Sequence, residues 1–433
     1  MNIANRRRAL LAGICALGLL APLAWTQSRR VYAIRNAKIY TLAGPPIENG
    51  TVVVRDGKIA AVGRNVAVPS GAQVIQASGL QVYPGLFDSV SLLGLTEIGQ
   101  VAATVDTTEL GDYKPQLLAA VAIHPASEHI PVARANGITH AVSAPRGGVL
   151  SGRASAIHLD GWTVEEMRLE PAVAMVLEWP SLATGSFDFA TFTMRRRPFS
   201  EVQREYEQKV AELRDWLVRA RHYRQALQQG SPAKFERDLK LEALVPVVEG
   251  RLPVLVLANN ERDIRNAIQF CEEEKLKMIL GSGAEAWRVK DLLKEKKIPV
   301  ILRPTQSLPV QEDDPYDKPY TAPGELHAAG VKIAFATFNS SDSRTLPYEA
   351  AQAVPFGLPW EEALKAITIY PAQMFGLDDR LGTIEVGKIA NLVVTDGDPL
   401  EITTQFRYVF IQGRPVSTDN RHRQLYEKYR ARP

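Results

Sequence analysis

The middle of the chain alternates short apolar runs with segments of helical pattern, and this alternation constrains the fold most strongly. Four strand-like runs lie between residues 253 and 336: PVLVLA, KMIL, PVILR and KIAFA. Segments of helical pattern follow the first, the second and the fourth of them. Strands that alternate with helices pair in parallel, because each helix carries the chain back along the sheet. We therefore predict an α/β fold with a TIM-like (β/α)8 barrel over residues 83–382.

Both ends of the sequence are rich in β-type runs. Residues 31–82 contain YAIRNAKIY, TVVVRDGKIAAVG and AQVIQA, and the Asp56-Gly57 pair is typical of a hairpin turn. A second block, GTIEVGKIANLVVTDGDP followed by YVFIQGRPV, lies within residues 383–420. Neither block is long enough for a stable sheet domain alone, so we predict that 31–82 and 383–420 assemble one small β-sandwich. Residues 421–433 are predicted to be a charged tail.

The first 26 residues have the pattern of a targeting segment. Arg6, Arg7 and Arg8 precede the apolar run ALLAGICALGLLAPLAW, and Ala24-Trp25-Thr26 is a usable cleavage site. We predict a signal peptide over 1–26, of Sec or twin-arginine type, and a periplasmic or other extracytoplasmic location. The alternative is an uncleaved segment that anchors the protein to a membrane.

Charge argues against a nucleic-acid partner. The net charge of +3 equals the contribution of Arg6, Arg7 and Arg8, which are the only charged residues before Gln27. The remaining chain has no excess of positive charge, so we predict no binding to nucleic acid.

Five segments resemble the amidohydrolase superfamily, in the imidazolonepropionase-like branch. They are RDGKIAAVG, GLQVYPGLFD, RDLKLEALVPVVEGRLPV, AITIYPAQMFGLDDRLGTIEVGKIANLVVTDGDP and YVFIQGRPV. The resemblance implies a distorted (β/α)8 barrel with a β-sandwich built from both chain ends. It also implies hydrolysis of C–N bonds in cyclic amides, amidines or peptides, with zinc or another divalent metal as cofactor.

The metal-ligand positions that this resemblance implies hold unsuitable residues. Family strands of this kind end in His-x-His, because alternate residues of a strand point the same way and can share one metal. In YPGLFDSVSLLG, Asp88 fixes the register and Val90 and Leu92 stand at the two histidine positions. The other implied ligand positions are also degenerate: Leu257, Asn259, Ser282 and Phe338. We therefore predict no metal, no other cofactor and no confident catalytic residue.

Several polar residues remain candidates for a pocket: Asp88, Glu97, His124, His129, Arg146 and Ser151. Glu97, His124 and His129, together with Asp106 and Glu109, are the groups that could supply relocated metal ligands. In APRGGVLSGR, glycines permit close approach of a ligand to the backbone, and Arg146 provides a charge for an anion. Ordinary loop and capping roles explain the same residues equally well.

Three functions are compatible with these observations. The first is an exported, metal-free pseudoenzyme that acts as a binding or assembly subunit, beside a complete amidohydrolase paralogue or by self-association. The second is a divergent, active amidohydrolase with relocated ligands. The third is an extracytoplasmic solute-binding protein that retains the barrel pocket for a small molecule.

Overall fold

The computed structural model describes residues 31–188, 193–229 and 236–432. The predicted signal peptide, 1–26, lies outside these residues. Within the described ranges, no helix combines the length and apolar character needed to cross a membrane. The strands of the described chain form a barrel sheet, an end sheet and one separate hairpin.

The end sheet contains strands from both ends of the chain. Its strands are β1 Tyr32–Ile39, β2 Ile47–Arg55, β3 Lys58–Gly63, β4 Gln73–Gln76, β5 Gln81–Pro84, β16 Leu392–Thr395, β17 Phe406–Ile411 and β18 Arg414–Val416. Their order is β18-β17-β16-β5-β1-β2-β3, and β4 also pairs with β1. Strand β5 joins the two halves, because it is parallel to β1 and antiparallel to β16. The prediction of a second sheet built from both ends is confirmed.

Local chemistry explains the turn and the core of this sheet. Asp56 and Gly57 both have positive φ, 50° and 80°, as a two-residue hairpin turn between β2 and β3 requires. The apolar side chains that alternate along the strands, such as Ile34, Val52 and Val394, pack into one core and are fully buried.

The barrel sheet contains eight strands in the order β15-β14-β13-β12-β9-β8-β7-β6. They are β6 Leu86–Ser91, β7 Ile138–Ser143, β8 Leu150–His158, β9 Arg168–Glu178, β12 Val254–Ala258, β13 Met278–Ser282, β14 Val300–Leu302 and β15 Ile333–Phe335. The ring closes beyond β15, where the Phe338 N–H donates to the Val90 carbonyl (2.8 Å) and the Leu92 N–H to the Asn339 carbonyl (3.2 Å). The predicted barrel is confirmed.

One strand departs from the predicted alternation. Strand β8 runs antiparallel to both of its neighbours, β7 and β9. Residues 144–149 connect β7 directly to β8 without a helix, and a chain that reverses through so short a loop can only return antiparallel. The barrel is therefore a modified (β/α)8 arrangement.

Helices cover the outside of the barrel. The helices described are α1 Ala119–Ala122, α2 His129–Ala135, α3 Val164–Met167, α4 Phe199–Gln228, α5 Leu239–Val248, α6 Glu261–Glu273, α7 Lys290–Glu295, α8 Lys318–Ala328, α9 Leu346–Ala353, α10 Trp360–Lys365, α11 Ile369–Met374 and α12 Arg421–Arg430. The long helix α4 follows a separate hairpin of β10 Gly185–Asp188 and β11 Thr193–Arg196. Residues 421–430, predicted as a charged tail, form α12, whose first turn is capped by the Asn420 side chain.

Two buried histidines connect the barrel to the end sheet. His140 on β7 and His158 on β8 are directly opposite each other and are 1% and 3% exposed. The Asn391 Nδ2 atom, which comes from the C-terminal block, lies 3.3 Å from His140 Nδ1 and 3.2 Å from His158 Nδ1. Burial lowers the pKa of both imidazoles, that of His158 to about 4, with the Arg380 and Arg414 charges adding to the effect. These histidines are neutral structural residues at neutral pH.

Candidate functional site at the barrel mouth

The mouth of the barrel is the end at which the parallel strands reach their carboxyl termini. Active sites of this fold lie there, because loops from every parallel strand converge on it. One apolar cluster fills the barrel interior below the mouth and includes Val90, Val176, Ile301 and Ala336. Leu257 and Phe338 pack against this cluster and remain partly exposed. We call Val90, Leu257 and Phe338 the apolar floor.

The positions that were predicted to be degenerate metal ligands lie at this end of the barrel. Val90 is fully buried, and Leu92 is half-buried. Ser282 Oγ donates to Asn259 Oδ1 at 2.7 Å, so these two polar side chains satisfy each other. Zinc and related metals prefer imidazole, thiolate and carboxylate ligands, and the predicted positions provide none of these. In the described part of the chain, no group of three or more His, Cys, Asp or Glu side chains is arranged to hold a metal. The residues at these positions do not fit the metal that the resemblance implies.

A layer of charged residues lies above the apolar floor. Arg303 follows the interior residue Ile301 by two positions, and its N–H continues the strand ladder to the Ser282 carbonyl (3.1 Å), so its side chain shares the inner face. Glu178 likewise follows Val176 at the end of β9. Arg146 comes from the loop between β7 and β8. We call Arg146, Glu178 and Arg303 the mouth charges.

Arg146 lies directly over the apolar floor. Its guanidinium carbon is 5.6 Å from the centre of the Phe338 ring, and Nη2 is 3.5 Å from the Phe338 carbonyl oxygen. Its Nε atom is buried and has no hydrogen-bond partner among the described residues. Burial lowers the pKa of Arg146, and the nearby Glu178 carboxylate opposes this shift. The guanidinium stays charged, since arginine does not deprotonate in proteins.

The other two mouth charges differ in their partners. Glu178 Oε1 accepts a hydrogen bond of 2.7 Å from the Gly147 N–H, which ties the end of β9 to the β7–β8 loop. Burial lowers the pKa of Arg303. Among the described residues, no carboxylate lies within ion-pair distance of Arg303 or Arg146. The mouth therefore contains two partly desolvated cations without a direct counterion.

Lys114 is a third cation near this loop. Its side chain is almost fully buried, and Nζ donates to Thr108 Oγ1 (2.8 Å) and to the Glu109 carbonyl (2.9 Å). Burial lowers the pKa of Lys114, and Glu178 is the largest of the charges that oppose this shift. Lys114 thus holds the 107–109 loop against the mouth.

The backbone at the mouth is strained at two of the degenerate positions. Ser282 and Phe338 have φ values of 71° and 54°, in the left-handed region that non-glycine residues rarely adopt. Such strain persists only where surrounding contacts impose it, and it is concentrated at functional sites. At Phe338 these contacts are the N–H bond to Val90 and the Arg146 guanidinium.

The predicted pocket residues do not come together in one pocket. Asp88 is fully buried, accepts hydrogen bonds from the Thr337 N–H (3.1 Å) and hydroxyl, and burial raises its pKa to about 7. His129 Nε2 lies 2.8 Å from the Glu97 carbonyl, and Glu97 Oε1 accepts from the Glu128 N–H at 3.0 Å.

The remaining predicted residues lie elsewhere. His124 lines a cleft beside Arg134 and Asp160 at the side of the barrel. Ser151 Oγ is buried and has no hydrogen-bond partner among the described residues. Of these predicted residues, Arg146 is the one whose side chain contacts the apolar floor, whereas the segment that carries Glu97 packs against the start of α2.

Sequence reasoning did not identify Glu178, Arg303 or Lys114. A usable signal exists for the first two, because each is a charged residue that directly ends an apolar strand, in AVAMVLE and PVILR. Lys114 has no such signal, since its burial depends on a loop that folds over the mouth.

Comparison with known proteins agrees with this architecture. A family model described as the amidohydrolase family matches residues 276–418. The crystal structure of an amidohydrolase from Thermotoga maritima MSB8 superposes with a TM-score of 0.76 at 26% identity, covering 89% of this chain and 99% of that chain.

Two curated proteins match in sequence. Amidohydrolase tasK of Hapsidospora irregularis is 24% identical over 436 residues, which cover 88% of this chain and 42% of that protein. The imidazolonepropionase of Sphingopyxis alaskensis is 42% identical over 78 residues, which cover 17% of this chain and 19% of that enzyme. The chain spans less than half the length of these two relatives. Together with the superposition, these matches show that the chain is similar to proteins of the amidohydrolase family.

Proposed function

We propose, from the premise that this chain is related to the amidohydrolases, that it is a metal-free pseudoenzyme of the imidazolonepropionase-like branch and acts as a binding or assembly subunit. The observation that carries the proposal is the apolar floor. Val90, Leu257 and Phe338 belong to one apolar cluster at the strand ends where the resemblance implies metal-binding imidazoles and a carboxylate.

The chemistry of the mouth supports binding over hydrolysis. A hydrolytic site needs a group that activates water, which a bound metal supplies in the family. Here the one carboxylate among the mouth charges, Glu178, accepts the Gly147 N–H and lies near Arg146 and Lys114, so its role is to orient the loop. The apolar floor excludes water, and Arg146 and Arg303 provide fixed positive charge.

The alternative of an active hydrolase with relocated ligands has a specific weakness. Its candidates Glu97 and His129 do contact each other, but His129 Nε2 is bonded to the Glu97 backbone carbonyl and not to its carboxylate. That contact holds the start of α2 against the preceding loop, which is a structural role and not a metal-binding one.

Export and partnership belong to the same proposal. The signal-like segment 1–26 supports delivery outside the cytoplasm. A complete amidohydrolase paralogue, or a second copy of this chain, is the partner that an assembly subunit of this family would have. A solute-binding role is the second candidate, and the mouth charges favour it.

The deciding experiment is elemental analysis of the purified native protein, with hydrolysis assayed on cyclic amides and dipeptides. We expect less than stoichiometric zinc, manganese and iron and no metal-dependent turnover. The double variant Val90→His/Leu92→His is expected to gain no activity, because it supplies only two ligands, and to lose stability by about 1–3 kcal/mol for each imidazole buried without a partner.

The variant Val90→Ala/Leu92→Ala is the matched control, because it removes the same apolar atoms without adding ligands. Stoichiometric metal in the wild type, together with turnover that a chelator abolishes, would overturn the proposal in favour of relocated ligands.

A further inference from the structure

We propose that the barrel mouth is a binding site for a small organic anion, whose carboxylate or phosphate pairs with Arg146 and Arg303 while its apolar part rests on Leu257 and Phe338. This inference rests on the proposed metal-free function and names the class of ligand that the site accepts.

The first argument is the unpaired charge. Two arginines at the mouth are partly desolvated, and no carboxylate of the described chain lies within ion-pair distance of either. Many other arginines of the described chain do have such a partner, for example Arg134 with Asp160 at 2.8 Å. A desolvated cation without a counterion is costly, and a bound anion removes that cost.

The second argument is the hydrogen-bonding capacity left at Arg146. Its Nε–H is buried without a partner in the described residues, and its single side-chain hydrogen bond, to the Phe338 carbonyl, is long at 3.5 Å. A guanidinium binds carboxylate or phosphate oxygens through two parallel N–H donors, and Arg146 has donors available for this.

The third argument is that the surrounding groups hold Arg146 in place. The ring of Phe338 supports one face of the guanidinium at 5.6 Å, and the Arg146 N–H is fixed to the Thr107 carbonyl at 2.7 Å. Glu178 Oε1 fixes the next residue, Gly147, through its N–H. A preorganised cation loses little freedom on binding, so it favours a specific ligand over loosely held ions.

The apolar floor and Glu178 define the rest of the ligand. Leu257 and Phe338, the partly exposed members of the apolar floor, offer an apolar surface below Arg146, which suits an aliphatic or aromatic body. The mouth charges comprise two arginines and one glutamate, and this excess of positive charge favours an acid over a neutral compound.

The test is isothermal titration calorimetry of the purified full chain with three probes. N-acetyl-L-leucine combines a carboxylate with an apolar body, phenyl phosphate offers a phosphate on such a body, and N-acetyl-L-leucinamide is the uncharged match of the first. We expect at least one of the two acids to bind, and the amide to bind about tenfold more weakly or worse.

Arg146→Gln and Arg303→Gln should each weaken binding of that acid by about tenfold or more, since each removes one charge-assisted hydrogen-bonding group. Arg64→Gln, which changes an exposed arginine directly after β3, should bind like the wild type. Urea unfolding of each variant shows whether it is folded, and a misfolded Gln variant is replaced by Arg→Lys, for which a smaller loss is expected.

The inference is overturned if neither acid binds at millimolar concentration, if the amide binds as tightly as the acids, or if both Gln variants bind like the wild type. Metal content and turnover are measured on the same samples. Metal-dependent turnover would defeat the proposed function alone, because the difference between acid and amide still reports separately on the anion site.

Discussion

Replacing His158 by Gln should reduce the stability that the protein loses when the pH falls from neutral to acidic. His158 is 3% exposed and receives a contact of 3.2 Å from Asn391 Nδ2, which a Gln carbonyl can also accept. Burial, with the Arg380 and Arg414 charges, lowers the pKa of His158 to about 4 from 6.5. The folded state therefore keeps this ring neutral at a pH where the unfolded chain protonates it.

The magnitude follows from this difference in pKa. Because the folded pKa is the lower one, the stability associated with His158 is complete above pH 6.5 and decreases as the pH falls from 6.5 to about 4. Each pH unit within that window costs about 1.4 kcal/mol. Between pH 7.5 and pH 5 the wild type should thus lose about 2 kcal/mol through this residue, and His158→Gln should not.

The assay is urea unfolding of wild type and variant at both pH values. The variant is expected to be less stable at pH 7.5, because Gln fills the site less well than the ring. The difference in unfolding free energy should then shift by about 2 kcal/mol in its favour at pH 5. His422→Gln, which changes an exposed residue of α12, is the control and should show no such shift. An equal difference at both pH values would refute the burial argument.

Three further changes test other parts of the structure by urea unfolding. When the pH is raised from 4.5 to 8, the unfolding free energy of Asp88→Asn should increase by about 3 kcal/mol relative to that of the wild type. Burial raises the pKa of Asp88 to about 7, so the wild type loses stability as the pH rises through that window. An equal difference in unfolding free energy at both pH values would contradict this. Lys275→Gly should stabilise the protein by about 1 kcal/mol, because Lys275, just after α6, has a φ of 56° that glycine adopts more easily. A loss of stability would contradict this. Gly137→Ala should cost about 2–4 kcal/mol, because the φ of Gly137 is 85° and the new Cβ would clash with the Phe406 ring. Gly71→Ala, with φ of 77° and open space, should cost only about 1 kcal/mol, and equal losses for the two would contradict the predicted clash.

The sequence by itself determined the elements and the class of fold. Alternation of apolar runs with helical segments indicated parallel strands, and Asp56-Gly57 indicated the β2–β3 hairpin; both signals are local, because they depend on the period of side chains and on the φ values of two residues. The sequence also located Val90 and Leu92 at the end of the first barrel strand, since Asp88 and the Pro-Gly pair fix the register.

Only the tertiary structure decided which residues share the mouth. Arg146 and Phe338 are 192 residues apart and meet because the barrel closes between β6 and β15. The direction of β8 was not predictable, since its composition fits either direction and the short loop before it is what reverses the chain.

The histidine pair shows the same limit. In the sequence, His140 and His158 are single histidines in two separate apolar segments. Their shared partner, Asn391, comes from the other end of the chain. The two-residue period of side chains along a strand fixes the face on which each residue lies. The partner of that residue depends instead on the packing of distant segments. That packing is set by the burial of the whole core and not by any local pattern.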